Sequence, residues 1–299
     1  MSEHLGIDLW IKRDDLTGFA FGGNKGRKLE YLIPSIIESS ADVVICSGSS
    51  QSNFVRQLGV ACQMIGVKCI GVVMHLPFEG DGPSTNWLPM KNGGNLMIDH
   101  MVGMEVRVLP DATWDELSDS VLEVKAELEA DGHKPYVVPV GGSSVLGAYS
   151  FVQAAKEVDG HDFDSILFAS SSGSTHVGLA YHFWGCKTKI IGAACDPEPE
   201  LPNDLSELAY ALEEEMKEGK FLNPSDFIFP LDWVGEGYGI PSEKGSAAHQ
   251  LLMKKEGIPL DPVYTAKAFS ALLDLAAEGQ LGRKVCFWHT GGIPALFAY

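Results

Sequence analysis

Short β-branched runs alternate along the chain with longer stretches whose apolar residues return every third or fourth position. Residues 42–46, 67–74, 105–109 and 135–138 read as strands, and 53–65 and 114–130 as helices between them. After Val140-Gly141-Gly142-Ser143-Ser144 the pattern restarts. Strands follow at 164–169 and 189–194, with a late one at 285–288 inside the segment 282–289. This alternation predicts parallel sheets with crossover helices, and the restart predicts a second lobe. In such sheets ligands bind beyond the carboxyl ends of strands, so polar and glycine-rich strand-to-helix turns are the places to search.

Composition narrows the function classes. The chain has 299 residues, enough for one large α/β domain or two lobes around a cleft, and no repeat or low-complexity tract interrupts it. With 40 acidic against 22 basic residues the net charge is −18, and such a surface repels phosphate backbones and anionic lipid heads. Neither nucleic acid nor a membrane is therefore an expected partner. An anionic ligand would need a local positive feature, and Lys25, Arg27 and Lys28 form the most compact one. The six cysteines show no Cys-x-x-Cys pair and the nine histidines are dispersed, so no metal site is expected. Met1-Ser2-Glu3-His4-Leu5-Gly6 lacks a basic start before an apolar core, and no apolar run approaches membrane-spanning length. A reduced, cytoplasmic protein is expected.

Four turns carry candidate chemistry. Gly22-Gly23-Asn24-Lys25-Gly26-Arg27-Lys28 leads into a helix starting near Lys25; glycines admit a ligand close to the backbone, and a helix N-terminus favours phosphate. It lacks the spacing of a nucleotide loop. Ser47-Gly48-Ser49-Ser50-Gln51-Ser52-Asn53 follows a strand and holds more polar groups than one helix cap needs. Ser170-Ser171-Ser172-Gly173-Ser174-Thr175 presents hydroxyls and backbone N–H groups suited to an anion, against the plainer reading of a flexible loop. In His289-Thr290-Gly291-Gly292, the histidine fits a packing role, and Thr290 can offer a neutral hydrogen bond to a ring nitrogen.

Taken together these turns resemble the tryptophan-synthase-β-like enzymes that use pyridoxal 5′-phosphate (PLP), fold type II. Within them the chain is similar to the 1-aminocyclopropane-1-carboxylate (ACC) deaminase and D-cysteine desulfhydrase family, from about Leu9 to Tyr299. Further stretches carrying the resemblance are Lys12-Arg13-Asp14-Asp15-Leu16-Thr17-Gly18, Tyr238-Gly239-Ile240-Pro241 and Asp261-Pro262-Val263-Tyr264-Thr265. It implies two lobes, each an open, mostly parallel twisted sheet flanked by helices, with PLP between them. Residues 1–28 plus 141–299 would form the large cofactor-binding domain and 29–140 the small one. The family's Schiff-base lysine matches Lys25, and the cation beside the phosphate matches Lys28. Asn53 matches the residue bonding the ring oxygen, Ser52 the hydroxyl near the substrate, and Ser172, Gly173, Ser174 and Thr175 the phosphate cup. Tyr238 and Tyr264 match two substrate-facing tyrosines. A small amino-acid substrate and a homodimer are implied as well.

Two positions bear on the subgroup. In ACC deaminases a glutamate that bonds the pyridine nitrogen follows the second tyrosine, where this chain has Thr265; Tyr264-Thr265 and His289-Thr290 instead follow the D-cysteine desulfhydrase pattern. A hydroxyl there gives a weaker electron sink than a carboxylate, suiting a substrate with a good β leaving group. The implied reaction is β-elimination to pyruvate, ammonia and a thiol or sulfide, with Lys25 as Cα base. ACC deamination, elimination from another small acid such as cysteate, and a non-enzymatic sensor remain open. Phe54 stands where the family has a polar residue, which points to an altered substrate-carboxylate contact; Ala266 replaces a usual glycine, and the chain starts close to its first strand.

Overall fold

The β-branched runs of the sequence lie in two separate sheets, and helices cover both faces of each. The protein is described by a computed structural model over residues 1–74, 93–109 and 112–299. Helix α1 (Ser2–Leu5) and strand β1 (Asp8–Arg13) precede α2 (Asn24–Glu38). There follow β2 (Val43–Ser49), α3 (Asn53–Ile65), β3 (Lys68–Met74), α4 (Gly94–Met101), β4 (Glu105–Leu109), α5 (Trp114–Ala130) and β5 (Pro135–Val137). The second half holds α6 (Val145–Ala155), β6 (Ser165–Ser170), α7 (Ser174–His182), β7 (Lys189–Ala194), α8 (Leu201–Met216), α9 (Glu243–Glu256), α10 (Thr265–Ala277) and β8 (Lys284–His289).

One sheet has the strand order β4-β3-β2-β5 and the other β1-β8-β6-β7, and every pairing in them is parallel. Burial on both faces explains why the strands read as continuous apolar runs. In β2, Val43 and Ile45 pack on α5 through Leu117, Val121 and Val124. Val44 and Cys46 point the opposite way, towards Leu29, Leu32 and Ile36 of α2 and Val55 and Leu58 of α3. In the other sheet Phe168 and Trp288 face α6 and α7, while Leu167 and Phe287 face α9 and α10. Each large apolar side chain buried this way contributes about 1.5–3 kcal/mol relative to exposure.

Helices 53–65 and 114–130 fall where the periodicity predicts them. The second starts at a capping box, with Thr113 accepting from Glu116 N and the Glu116 side chain accepting from Thr113 N. Strand β2 runs further than expected. Ser47, Gly48 and Ser49 pair with Val72, Val73 and Met74, because β3 continues alongside and supplies ladder partners whatever the side chains are. The turn after β2 is thus confined to residues 50–52.

The first strand closes the second sheet. β1 pairs with the last strand from Asp8 opposite Lys284 to Arg13 opposite His289, so the chain's two ends meet. The turn after β1 is thereby set against the turn after β8. A Cβ on Gly291 would lie 2.5 Å from Gly23 Cα, so the two backbones touch where only glycine fits. The glycines of the Lys25 turn thus admit a neighbouring chain segment rather than a ligand. β1, α2 and β8 then aim the Lys25 turn at the carboxyl ends of β6 and β2.

Candidate active site

Between the carboxyl ends of these strands lies a small cleft. Asn24, Lys25 and Lys28 of α2 line one side, and Ala169 to Gly173 with Thr175 and His176 line another. Asn53, Tyr264, Thr290 and Gly291 complete it. The start of α2 is tied at two points. Asn24 N donates to Thr290 O at 2.9 Å, and Asn24 Nδ2 donates to Thr175 Oγ1 at 3.1 Å. Lys25 therefore emerges between the turn after β8 and the first turn of α7.

Lys25, half-buried, and Lys28, buried, lie side by side. Burial pulls the Lys25 amine down to about 8. Lys28 is held well below the ordinary lysine value by burial and by the Lys25 charge beside it. Its Nζ donates to Gly141 O at 2.9 Å. Gly141 has φ 63°, and a Cβ there would come within 2.2 Å of Ser172 Oγ and 3.9 Å of Lys25 Nζ, so a side chain would crowd both sides of the cleft. Arg27, the third cation of the cluster, turns away: its guanidinium donates to both oxygens of Asp14 at 2.8 Å and to Glu157. The local positive feature is thus two amines rather than three cations.

Facing the amines, the turn from Ser170 to Gly173 runs into α7, with Gly173 at φ 99°. Ser170, Ser171, Ser172 and Thr175 line the cleft there, with Ser170 Oγ 3.1 Å from His176 Nδ1, and the N-terminus of α7 opens beside them. Two amines, the hydroxyls of Ser171, Ser172 and Thr175 and a helix N-terminus are a donor set matched to a phosphate, and a lysine nucleophile within the same set matches the aldehyde of PLP. Ser174 departs from the expected cup. Its N–H donates to Ser143 Oγ at 3.2 Å, while its own hydroxyl is buried without a partner, within 3.1 Å of where a Cβ on Gly147 would lie. Its side chain faces α6 rather than the cleft.

On the opposite wall, Asn53 reaches the cleft from the first turn of α3. Its Oδ1 accepts from Arg56 and Asn95, which leaves Nδ2 as the group to face a ligand. Ser52 is the N-cap of α3, its Oγ accepting from Val55 N at 3.3 Å, and it does not line the cleft. Phe54 corrects the expectation placed on it. It is 1% exposed, packs with Leu32 and Val55 in the core beneath the turn, and lies against Gly142, so it takes no part in the cleft.

Tyr264 lines the cleft, and Tyr238 stands behind it. Their hydroxyls hydrogen-bond each other, and Ser49 Oγ lies 3.3 Å from the Tyr238 hydroxyl. Burial pushes the Tyr238 phenol up to about 12, and burial with the neighbouring phenol takes Tyr264 well above its ordinary value. Both are proton donors near neutral pH. Thr290 lines the cleft, whereas Thr265 does not: its hydroxyl donates to Asp261 Oδ2 at 2.6 Å and accepts from Asp261 N at 2.8 Å. Asp261 also accepts from the backbone of Val263, Tyr264 and Thr265, fixing the start of α10 and with it Tyr264. His289 fills a packing role, bonded to Pro259 O at 2.8 Å and to Gly291 N at 3.2 Å.

Sequence reasoning missed Arg56, Asn95 and Asp261, all 0% exposed. The adjacent Arg56-Gln57 pair inside an otherwise apolar helix was the one available signal. Among the described residues no group of three His, Cys, Asp or Glu side chains converges on a metal position, and no helix is long and apolar enough to cross a membrane.

Comparison with known proteins agrees with this geometry. The pyridoxal-phosphate dependent enzyme family matches residues 1–291. The chain belongs to that family. Its relatives include a D-cysteine desulfhydrase of Yersinia enterocolitica, 37% identical over all of this chain and 91% of the relative. A D-cysteine desulfhydrase of Klebsiella pneumoniae is 36% identical over the same shares. Among solved structures, an ACC deaminase homologue superposes with a TM-score of 0.88 at 35% identity, covering all of this chain and 88% of its own. The processed form of a threonine deaminase from Solanum lycopersicum has a TM-score of 0.64 at 16% identity over 97% of this chain and 81% of its own, a likeness of fold. This PLP-dependent enzyme is therefore a member of the ACC deaminase and D-cysteine desulfhydrase group, with the two-lobed parallel architecture of fold type II.

Proposed function

We propose that the cleft performs a D-cysteine desulfhydrase type of β-elimination, taking a small amino acid to pyruvate, ammonia and a thiol or sulfide. The observation that carries this reading is the pairing of Lys25 and Lys28 with a serine-rich cup in a cleft whose described lining includes no carboxylate. Lys25 would hold the cofactor covalently, and Lys28, Ser172, Gly173 and Thr175 would hold its phosphate, the Ser174 N–H being already bonded to Ser143. Asn53 would donate to the ring oxygen, and Thr290 would give the ring nitrogen a neutral hydroxyl. PLP, when bound, supplies the electron sink for bond cleavage at Cα and Cβ. Lys25 would take the Cα proton, and an amine pulled down to about 8 has a useful neutral fraction near physiological pH. Tyr264, hydrogen-bonded to Tyr238, protonates the leaving group. Ser52, which caps α3 just outside the described lining, would offer its hydroxyl proton to a substrate carboxylate.

ACC deamination is the second reading, favoured by the fold match to an ACC deaminase homologue. The neutral Thr290 weighs against it, because opening a cyclopropane calls for the stronger sink that a carboxylate partner maintains. Cysteate loses its particular support now that Phe54 lies in the core. Protein loaded with PLP and offered D-cysteine, L-cysteine, ACC and cysteate tests these readings. Sulfide and pyruvate from D-cysteine are expected; 2-oxobutanoate from ACC without sulfide from either cysteine would overturn the proposal, and PLP binding without any turnover would revive the sensor.

The same reading covers the assembly. Residues 1–28 with 141–299 form the cofactor-binding lobe and 29–140 the smaller one. A second copy covers the groove lined by Phe19, Leu29, Ile33, Met64 and Ile65, apolar enough to support a homodimer. Six unpaired cysteines support a reducing, cytoplasmic setting.

A further inference from the structure

Behind the cleft, a group of fully buried polar side chains converges on Asn53. Its Oδ1 accepts from Arg56 Nη1 at 2.7 Å and from Asn95 Nδ2 at 3.1 Å. Asn95 is itself clamped: its N–H donates to Gln51 Oε1 at 2.9 Å, its Nδ2 donates to Gln51 O at 2.8 Å, and its Oδ1 accepts from Arg56. The second terminal nitrogen of Arg56 donates to Gly22 O at 3.1 Å, in the turn that carries Lys25. One guanidinium thus joins the Asn53 amide to that turn.

Packing does not account for a charge at this place. Burying a guanidinium costs several kcal/mol unless it is well paired. Arg56 Nε has no partner, and no carboxylate forms a salt bridge with Arg56 among the described residues. Asp99 is the opposite charge acting on it, itself pushed up to about 7 by burial. The fork is spent on neutral oxygens instead. Turning the Asn53 amide over would set its NH₂ against the donors of Arg56 and Asn95 and leave buried donors unpaired, at about 1–3 kcal/mol each. The amide is therefore held one way round.

We propose that Arg56, together with Asn95, is a positioning residue that fixes Nδ2 of Asn53 towards the cleft, so that the site meets a cofactor ring oxygen with a donor held in register with Lys25. The inference rests on the PLP reading above. Arg56 does not touch the ligand; it acts through Asn53.

The test uses Arg56→Met, Arg56→Lys, Asn53→Ala and the Asn53→Ala/Arg56→Met double variant. The readouts are PLP affinity of the cofactor-free chain and the pH midpoint of the bound cofactor's visible band. Arg56→Met is expected to weaken PLP binding at least about tenfold, or ~1.4 kcal/mol, and to move the midpoint in the same direction as Asn53→Ala. In the Asn53→Ala background its effect should shrink several-fold, because the Asn53 contact is gone and only the bond to Gly22 O remains to be lost. Arg56→Lys, keeping the charge without the fork, should fall between. A folded Arg56→Met with unchanged affinity and midpoint, or an undiminished effect in the Asn53→Ala background, overturns the inference. Should Arg56→Met not fold, Arg56→Lys and Asn95→Ala carry the same test, and wild-type midpoints in both overturn it. An unmodified chain that takes up no PLP removes the cofactor reading itself, a result seen before any substitution is made.

Discussion

The turns after β6 and after β2 are alike in sequence, both serine-rich and both leading from a buried parallel strand into a helix. They meet the cleft differently. After β6, Ser171, Ser172 and Thr175 stand in the lining opposite the amines of Lys25 and Lys28, while Ser170 is bonded to His176, so the region keeps several donors for a ligand. After β2, the polar groups are spent on one another: Gln51 holds Asn95, Asn95 and Arg56 hold Asn53, and Ser52 caps α3. The first turn is built to receive charge, the second to present a single amide in one orientation. A serine-rich turn at a strand's end therefore marks where a ligand lies, while the partners buried behind it determine which atoms meet the ligand.

The largest expected effect tests the receiving side. Lys25→Ala should purify without covalently bound cofactor and lose turnover by at least about 10²–10⁴-fold, the range for removing an acid–base group. Borohydride reduction of the unmodified protein should tag Lys25, and a tag mapped to Lys28 would reverse the assignment of the two amines. The lowered pKa gives a second check with a definite sign. The amine is neutral above about 8, so covalent uptake of PLP should quicken as pH rises through that value. Because the folded amine titrates near 8 rather than at 10.5, the unfolded chain binds more protons in between. The cost of burying the charged amine is thus full below about 8 and relieved by 10.5, so stability of the cofactor-free protein should gain across that window. Equal uptake at pH 7 and pH 9 would contradict the burial argument.

Lys28→Met sharpens the same side with a smaller expected effect. Losing one charge-assisted hydrogen bond to phosphate costs about 1.5–3 kcal/mol, so PLP should bind about ten- to a hundredfold more weakly while Lys25 still forms its covalent link. Free pyridoxal, lacking the phosphate, should bind the variant and the wild type equally. If it also binds the variant more weakly, Lys28 acts through the fold rather than through the phosphate.

Much of this was legible in the sequence because polar clusters interrupt apolar periodicity where a parallel sheet leaves its ligand sites. Lys25, Lys28, Asn53 and the turn from Ser170 to Gly173 all reach one cleft, as their positions after strands imply. What was hidden depends on long-range packing. Gly22 and Gly23 look like a phosphate loop in isolation; their close neighbours, Asp15 O and Gly291, come from other segments. Phe54 looks like a site residue because it follows Asn53, but one step along a helix turns a side chain by about 100° and carries it into the core. Thr265 and Thr290 are indistinguishable as letters, yet Asp261 claims only the first. Asn95 lies 42 residues from Asn53, and no local pattern announces their bond.

Ser52→Ala carries the smallest expected effect and bears most directly on the contrast between the turns. Its Oγ accepts from Val55 N at 3.3 Å, and its backbone at φ −68° and ψ 118° has the extended geometry of an N-cap. Loss of that cap should lower stability by about 0.5–2 kcal/mol. The cap uses only a lone pair of the hydroxyl, so its proton is still available to a substrate carboxylate. If Ser52 makes that contact, kcat/KM should fall at least about tenfold, roughly 1.4 kcal/mol of transition-state stabilisation, while PLP stays bound through Lys25. Melting temperature and turnover measured on one preparation separate the two roles. A variant that melts earlier but turns over at the full rate would return Ser52 to capping, and the β2 turn would then meet its ligands through Asn53 without help from the serine beside it.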